Sequence, residues 1–177
     1  MMNQNVKLWL RAANPFMPPR GMVEAQRAAR VGAVALGISV VQVLAAVPLM
    51  PARMAQVIKM MAQGTDIPAG NQAFTEAIIV AMTPMMMIGA LAFSIFYLVL
   101  AVVQWRKMTW VIPAVMLAFV GYGLLSALGG FVMLGGGMAK LYSGVTVVRW
   151  IINLGIIAMY VAAFRGGRAF EKLKRAQ

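Results

Sequence analysis

Apolar positions along this chain gather into four long runs, roughly Ala28 to Met50, Ala77 to Val103, Trp110 to Leu134 and Val145 to Phe164, with more polar connections between them. A hydrocarbon core about 30 Å thick is crossed by about 20 apolar residues of α-helix, and each run reaches that length. The pattern predicts an all-α, polytopic membrane protein, an antiparallel four-transmembrane-helix bundle built as a single integral membrane domain over residues 1–177. Its spans are expected at 28–50, 77–103, 110–134 and 145–164, with an arm at 1–20 and a basic tail at 165–177.

Between the runs the local signals are shorter. Val6, Trp9 and Leu10 share one helical face beside Lys7 and Arg11, as in a short helix lying at the inner interface; a frayed arm is the alternative reading. That apolar stretch is too short for the core of a signal peptide, and Pro15, Pro18 and Pro19 follow it, so the mature chain is expected to keep its own N-terminus. Gly21 to Arg30 reads as a helical lead-in to the first span, with Glu24 spaced to pair with Arg20 and Arg27. Pro48 and Pro51 are expected to close that span. Next, Met54, Val57, Ile58 and Met61 take the i, i+3, i+4, i+7 spacing of an amphipathic helix over Arg53 to Gln63, suited to the outer surface. Gly64, Pro68 and Gly70 predict a loop, and Asn71 or Thr75 a start for the second span, which ends near Gln104 and Trp105. The tight Arg106 to Thr109 connection makes the second and third spans antiparallel neighbours. Gly135 to Gly137, with Tyr142, Ser143 and Gly144, mark a flexible turn before the fourth.

Lipid-embedded helices attract one another by close packing where side chains are short. Ala29, Ala33 and Gly37 recur at four-residue intervals in the first span, Gly121, Leu125 and Gly129 in the third together with Gly123 and Ala127, and Ala81, Met85 and Gly89 in the second. These stripes are the expected packing seams. Pro84 lies on the second span and deprives the Val80 carbonyl of its usual donor, which predicts a kink or a loosened turn.

Composition agrees with the membrane reading: 62% of residues are hydrophobic and 11% charged, more apolar surface than a soluble core of this size could hide. Sixteen Lys and Arg against four acids give a net charge of +12, which in a soluble protein would point to nucleic acid. Here the basic residues flank the spans, and no aromatic-interleaved basic module or nucleic-acid motif accompanies them. Twelve of the sixteen fall on one set of segments: Lys7, Arg11, Arg20, Arg27 and Arg30; Arg106 and Lys107; Arg165, Arg168, Lys172, Lys174 and Arg175. Positive charge near span ends is retained in the cytoplasm, so both termini are expected there, in keeping with an even number of spans and with a bacterial cytoplasmic (inner) membrane. Arg11, Arg20, Arg27, Arg30, Arg106, Lys107, Arg165 and Arg168 are the expected contacts to anionic lipid head groups.

Converting span position into depth places a second set of polar residues. Gln42, Glu76, Thr83, Ser126, Arg149 and Asn153 fall near the midplane or in the outer half. Facing lipid there costs a charge roughly 2.5 kcal/mol or more, so the six are candidates to line one outward-facing polar pocket. Arg149 would bind an anionic head group or carboxylate, with Glu76 its nearest prospective partner. The competing reading has Arg149 snorkelling to outer head groups beside Trp150 while Asn153 and Gln42 join helices.

Other chemistry is thinly provided for. Seventeen methionines could offer soft sulfur to Cu(I), but with no Cys and no His to complete a ligand set they read as flexible core filler. The same absences leave no haem axial His, iron–sulfur cluster or thiolate zinc site. Only Glu76 among the acids approaches a span, so no carboxylate pair or proton relay is in view, and Ser94 and Ser126 lack a base. No metal, no cofactor and no catalysis are expected. What remains is a non-catalytic small inner-membrane protein, an accessory or assembly subunit of a larger membrane complex. The alternative is a small transporter or lipid-binding protein using the pocket around Arg149. Its expected partners are membrane lipids and other membrane subunits or further copies of itself, not nucleic acid.

Overall fold

A computed structural model of the protein describes residues 3–64, 69–133 and 144–176. Of the described residues 90% are helical and none lies in a strand. Six α-helices follow in order among the described residues: α1 (Gln4–Ala12), α2 (Met22–Ala46), α3 (Met50–Gly64), α4 (Ala69–Lys107), α5 (Val111–Met133) and α6 (Gly144–Arg175), with a 3-10 turn at Val47–Leu49 before α3. Among the described residues three helical stretches are long and apolar enough to cross a membrane: Met22–Gln56, Glu76–Lys107 and Trp150–Arg175. Val111–Ser126 is an apolar part of α5.

Local chemistry accounts for many of the helix boundaries. Asn3 caps α1 by accepting the Asn5 N–H on its side chain at 3.1 Å, and Arg11 in the last turn suits the negative end of the helix dipole. The Asn14 side chain accepts from the Phe16 N–H at 2.9 Å, an Asx turn that leads into Pro18 and Pro19. Glu24, in the first turn of α2, accepts the Arg20 backbone N–H at 2.8 Å. Pro48 shapes a three-residue 3-10 turn, and Pro51 sits in the first turn of α3 where its missing N–H removes no bond. Helix α4 passes through Pro84 without interruption. Beside it the Thr83 hydroxyl donates to the Ile79 carbonyl at 2.8 Å, and further along Ser94 donates to Ala90 at 2.9 Å. Met108 turns the chain out of α4 in the left-handed region at φ 50°, and Thr109 starts α5 by accepting the Val111 N–H at 3.2 Å.

The chain divides into two compact units. The first, Met1–Gly37 with Leu100–Gln177, holds a small-residue core: Ala25, Ala28, Ala29 and Leu36 of α2, Met116 of α5, and Ile156, Tyr160, Ala162 and Ala163 of α6 are buried. Helices approach closely at glycine. A methyl group at Gly166 would stand 2.5 Å from the Ala28 Cβ and 2.7 Å from the Ala29 nitrogen, and one at Gly167 would stand 2.8 Å from the Trp110 nitrogen. At Gly32 the Ala163 Cβ would lie 2.9 Å away. Backbone contact of this closeness is what holds helices together where no hydrophobic force separates protein from solvent. The second unit, Ile38–Val99, consists of the end of α2, α3 and most of α4.

Several boundaries differ from the sequence pattern. Residues 165–175, expected as a basic tail, are helical and form the last part of α6. Gly70 lies in the first turn of α4 and not in a loop, so α4 begins ahead of Asn71. Arg106 and Lys107 complete its last turn, which leaves the connection to α5 at residues 108–110. Residues 1–20 are not frayed throughout, since α1 is helical. Of the small-residue stripes, Ala29 and Ala33 are buried, but Gly37, Gly89, Gly121 and Gly123 have nothing within 4 Å of a built Cβ. Leu125 and Met85 are exposed. Counting small residues locates short side chains but not which face of the helix meets another. The Gly135 to Gly137 turn, with Tyr142 and Ser143, lies outside the described residues, as do Pro68 and the surroundings of Gly129 and Ala127.

Candidate functional site

The first unit organises its polar groups around the α4–α5 turn. Gln104, one helical turn short of the end of α4, is fully buried. Its amide nitrogen donates to the Ala29 carbonyl of α2 at 2.8 Å and to the Thr109 carbonyl at 2.9 Å. One side chain thereby fastens α2 and the turn into α5 to α4. The amide oxygen, also buried, has no partner among the described residues.

Next to this turn stands Trp110. Its indole N–H donates to a carboxylate oxygen of Glu171 on α6 at 3.1 Å, and its ring meets Phe164 edge-on with centroids 5.8 Å apart. The Arg168 guanidinium lies 5.3 Å from the Trp110 ring centroid and 4.9 Å from that of Phe164. Both distances fall within cation–π range. An open groove of about 390 Å³ is lined here by Trp110, Arg168, Ala169, Glu171, Lys172 and Arg175.

A second aromatic cluster docks α1. Trp9 stacks on Trp105 with centroids 6.3 Å apart and planes at 11°, and the Arg30 guanidinium sits 5.3 Å from the Trp105 ring. Arg11 and Glu24 form an ion pair at 3.5 Å, and Arg165 donates to the Pro15 carbonyl. Glu24 therefore pairs with the Arg11 side chain, and its link to Arg20 runs through the backbone N–H. Spacings of four and three residues point instead to the side chains of Arg20 and Arg27. An acid at the start of α2 is reached more easily by a cation on the preceding helix.

The six residues assigned to an outer polar pocket divide between the units. In the second unit Glu76 is exposed, Thr83 is half-buried and bonded within its own helix, and Gln42 is half-buried with its amide nitrogen buried and unpartnered among the described residues. In the first unit Asn153 is half-buried and Ser126 exposed; Arg149 lies in α6, with its side chain outside the described residues. None of the six lines the 390 Å³ groove. Among the expected lipid contacts, Arg20, Arg106, Lys107, Arg165 and Arg168 are exposed. Arg11, Arg27 and Arg30 are half-buried, and the Nε of Arg30 is enclosed without a partner among the described residues.

Sequence reasoning passed over Gln104, Trp110 and Glu171. Gln104 looked like a span terminator, because an amide at the edge of an apolar run fits that role equally well. Glu171 carried a usable signal: it is the one acid among the five cations of residues 165–175. Comparison with family models, with curated proteins and with solved structures finds no match.

Proposed function

We propose that this chain is a non-catalytic accessory or assembly subunit of a larger complex in the bacterial cytoplasmic membrane, crossing the bilayer four times with both termini in the cytoplasm. The observation that carries the reading is the surface of α4. Of its described residues only Ser94 and Gln104 are buried. Val80, Met85, Ile88, Phe93, Ile95 and Val99, spread around the helix, are each more than half exposed. Thr83 and Ser94 spend their hydroxyls on carbonyls of the same helix, so the span requires no polar partner. Acyl chains or apolar spans of other subunits can cover such a surface, and its methionines adapt to either. Extraction of the full chain in mild detergent tests the reading. Stoichiometric co-purification of different subunits is expected, and a homogeneous homo-oligomer carrying bound lipid or solute would overturn it.

The second reading is a small transporter or lipid-binding protein; what favours it is, within the second unit, the buried amide nitrogen of Gln42, which has no partner among the described residues. An amide left unsatisfied at that depth costs free energy that a polar ligand would recover. Under this reading Gln42→Leu and Arg149→Ala each abolish solute or lipid retention. Under the subunit reading neither changes the co-purified set.

A further inference from the structure

We infer that the groove between the α4–α5 turn and the end of α6 is a headgroup site for an anionic phospholipid of the cytoplasmic leaflet. Three cations face one place. Arg168, Lys172 and Arg175 are spaced four and three residues apart on α6, which sets them on one side of the helix, and all three are exposed at the groove. Among the described residues none of the three lies within ion-pair distance of a carboxylate, the pair found there being Arg11 with Glu24. Their charge is left available. Glu171 also lines the groove, and three cations against one carboxylate leave a net charge of +2.

The walls are held in place before any ligand arrives. Glu171 accepts the Trp110 indole N–H, which orients the ring, and Arg168 packs against both the Trp110 and the Phe164 rings. A guanidinium fixed in this way presents its fork to phosphate oxygens with little rotamer entropy left to lose. Depth selects a lipid over a free anion. The apolar part of α6 runs to Phe164 and the cations start at Arg165, while Trp110 stands at the opening of α5. An indole at this level marks the headgroup layer. A phosphodiester with its acyl chains on the membrane side of the groove, toward the apolar part of α6, would place its phosphate against Arg168 and Lys172, with Arg175 furthest out. The net positive charge favours a headgroup with no ammonium of its own, and Glu171 can accept a hydrogen bond from a headgroup hydroxyl. This inference rests on the membrane placement of α6 and not on the subunit reading.

Native mass spectrometry of the full-length protein in uncharged detergent tests it, with dioctanoyl phosphatidylglycerol, dioctanoyl phosphatidylethanolamine and inorganic phosphate as probes. The wild-type protein should retain one phosphatidylglycerol in preference to phosphatidylethanolamine, and equimolar inorganic phosphate should not displace it. Lys172→Glu/Arg175→Glu, which leaves the stacked Arg168 untouched, should weaken that retention about tenfold or more. Lys174→Glu, outside the groove, should leave it unchanged. Equal retention of the two lipids by wild-type protein would overturn the inference whatever the variants do. So would displacement by inorganic phosphate, an unaffected double variant, or an equal loss on Lys174→Glu.

Discussion

Gln104 joins three stretches of chain through one amide, and its worth can be separated from that of its volume. Gln104→Ala removes the bonds to Ala29 and Thr109 and opens a cavity, so it should cost about 3 kcal/mol. Gln104→Leu keeps most of the volume and disposes of the unpartnered amide oxygen, and should cost clearly less. Thermal midpoints of the wild type and the two variants in one fixed detergent check the order: a Gln104→Leu midpoint equal to that of the wild type would mean the amide bonds contribute nothing, and equal midpoints of the two variants would mean the filled volume contributes nothing. Glycine gives a sharper contrast within α6. Gly155 has nothing within 4 Å of a built Cβ, so Gly155→Ala should gain up to about 1 kcal/mol from helix propensity. Gly166 would push a methyl into the backbone of α2, and Gly166→Ala should lose roughly 1–3 kcal/mol. Neither distinction is visible in the sequence. Gly155 and Gly166 are both glycines in a helical run, and Gln104 differs from Gln42 only in what lies opposite, which depends on helix rotation and not on spacing.

At the scale of elements, the long apolar stretches are legible because membrane thickness imposes a length that few other structures share, and hydropathy alone registers it. Helix ends are less so. The fourth run ends at Phe164 as hydropathy falls, yet Ala169, Glu171, Lys172 and Leu173 are good helix formers, and α6 continues through them to Arg175. Hydropathy marks where an apolar environment stops; backbone hydrogen bonding does not stop with it. Helix α1 illustrates the opposite dependence. Nine residues are too few for a stable helix in isolation, so α1 relies on what it docks against: the Trp9–Trp105 stack, buried Ala12 and the Arg11–Glu24 pair. Trp9→Ala should release it. Hydrogen–deuterium exchange over residues 4–12 is expected to rise about tenfold or more while exchange in α6 stays unchanged, since a lost aromatic pair of about 1 kcal/mol adds to the lost burial. Unaltered exchange in α1 would show that the ion pair and Ala12 suffice.

For the molecule as a whole, charge distribution is the strongest constraint on orientation. Twelve of its sixteen basic residues belong to segments assigned to the cytoplasm, against Arg53, Lys59, Lys140 and Arg149 elsewhere, and such a bias directs insertion. The aromatic and arginine contacts at Trp9, Trp105, Trp110 and Arg168 belong to the same end of the spans by this assignment, where indole rings and guanidinium groups find both apolar and hydrated neighbours. The chain contains no cysteine, so single replacements report cleanly. Asn3→Cys and Ala176→Cys should both resist a membrane-impermeant maleimide added to intact cells and react once the membrane is opened. Gln63→Cys, on the predicted outer segment, should react in intact cells. If Asn3→Cys and Ala176→Cys report opposite faces, the number of crossings is odd. One of the four apolar runs then fails to span. If both termini react from outside, the crossings stand but the charge bias does not govern them, and the lipid groove at Trp110 would have to face the outer leaflet.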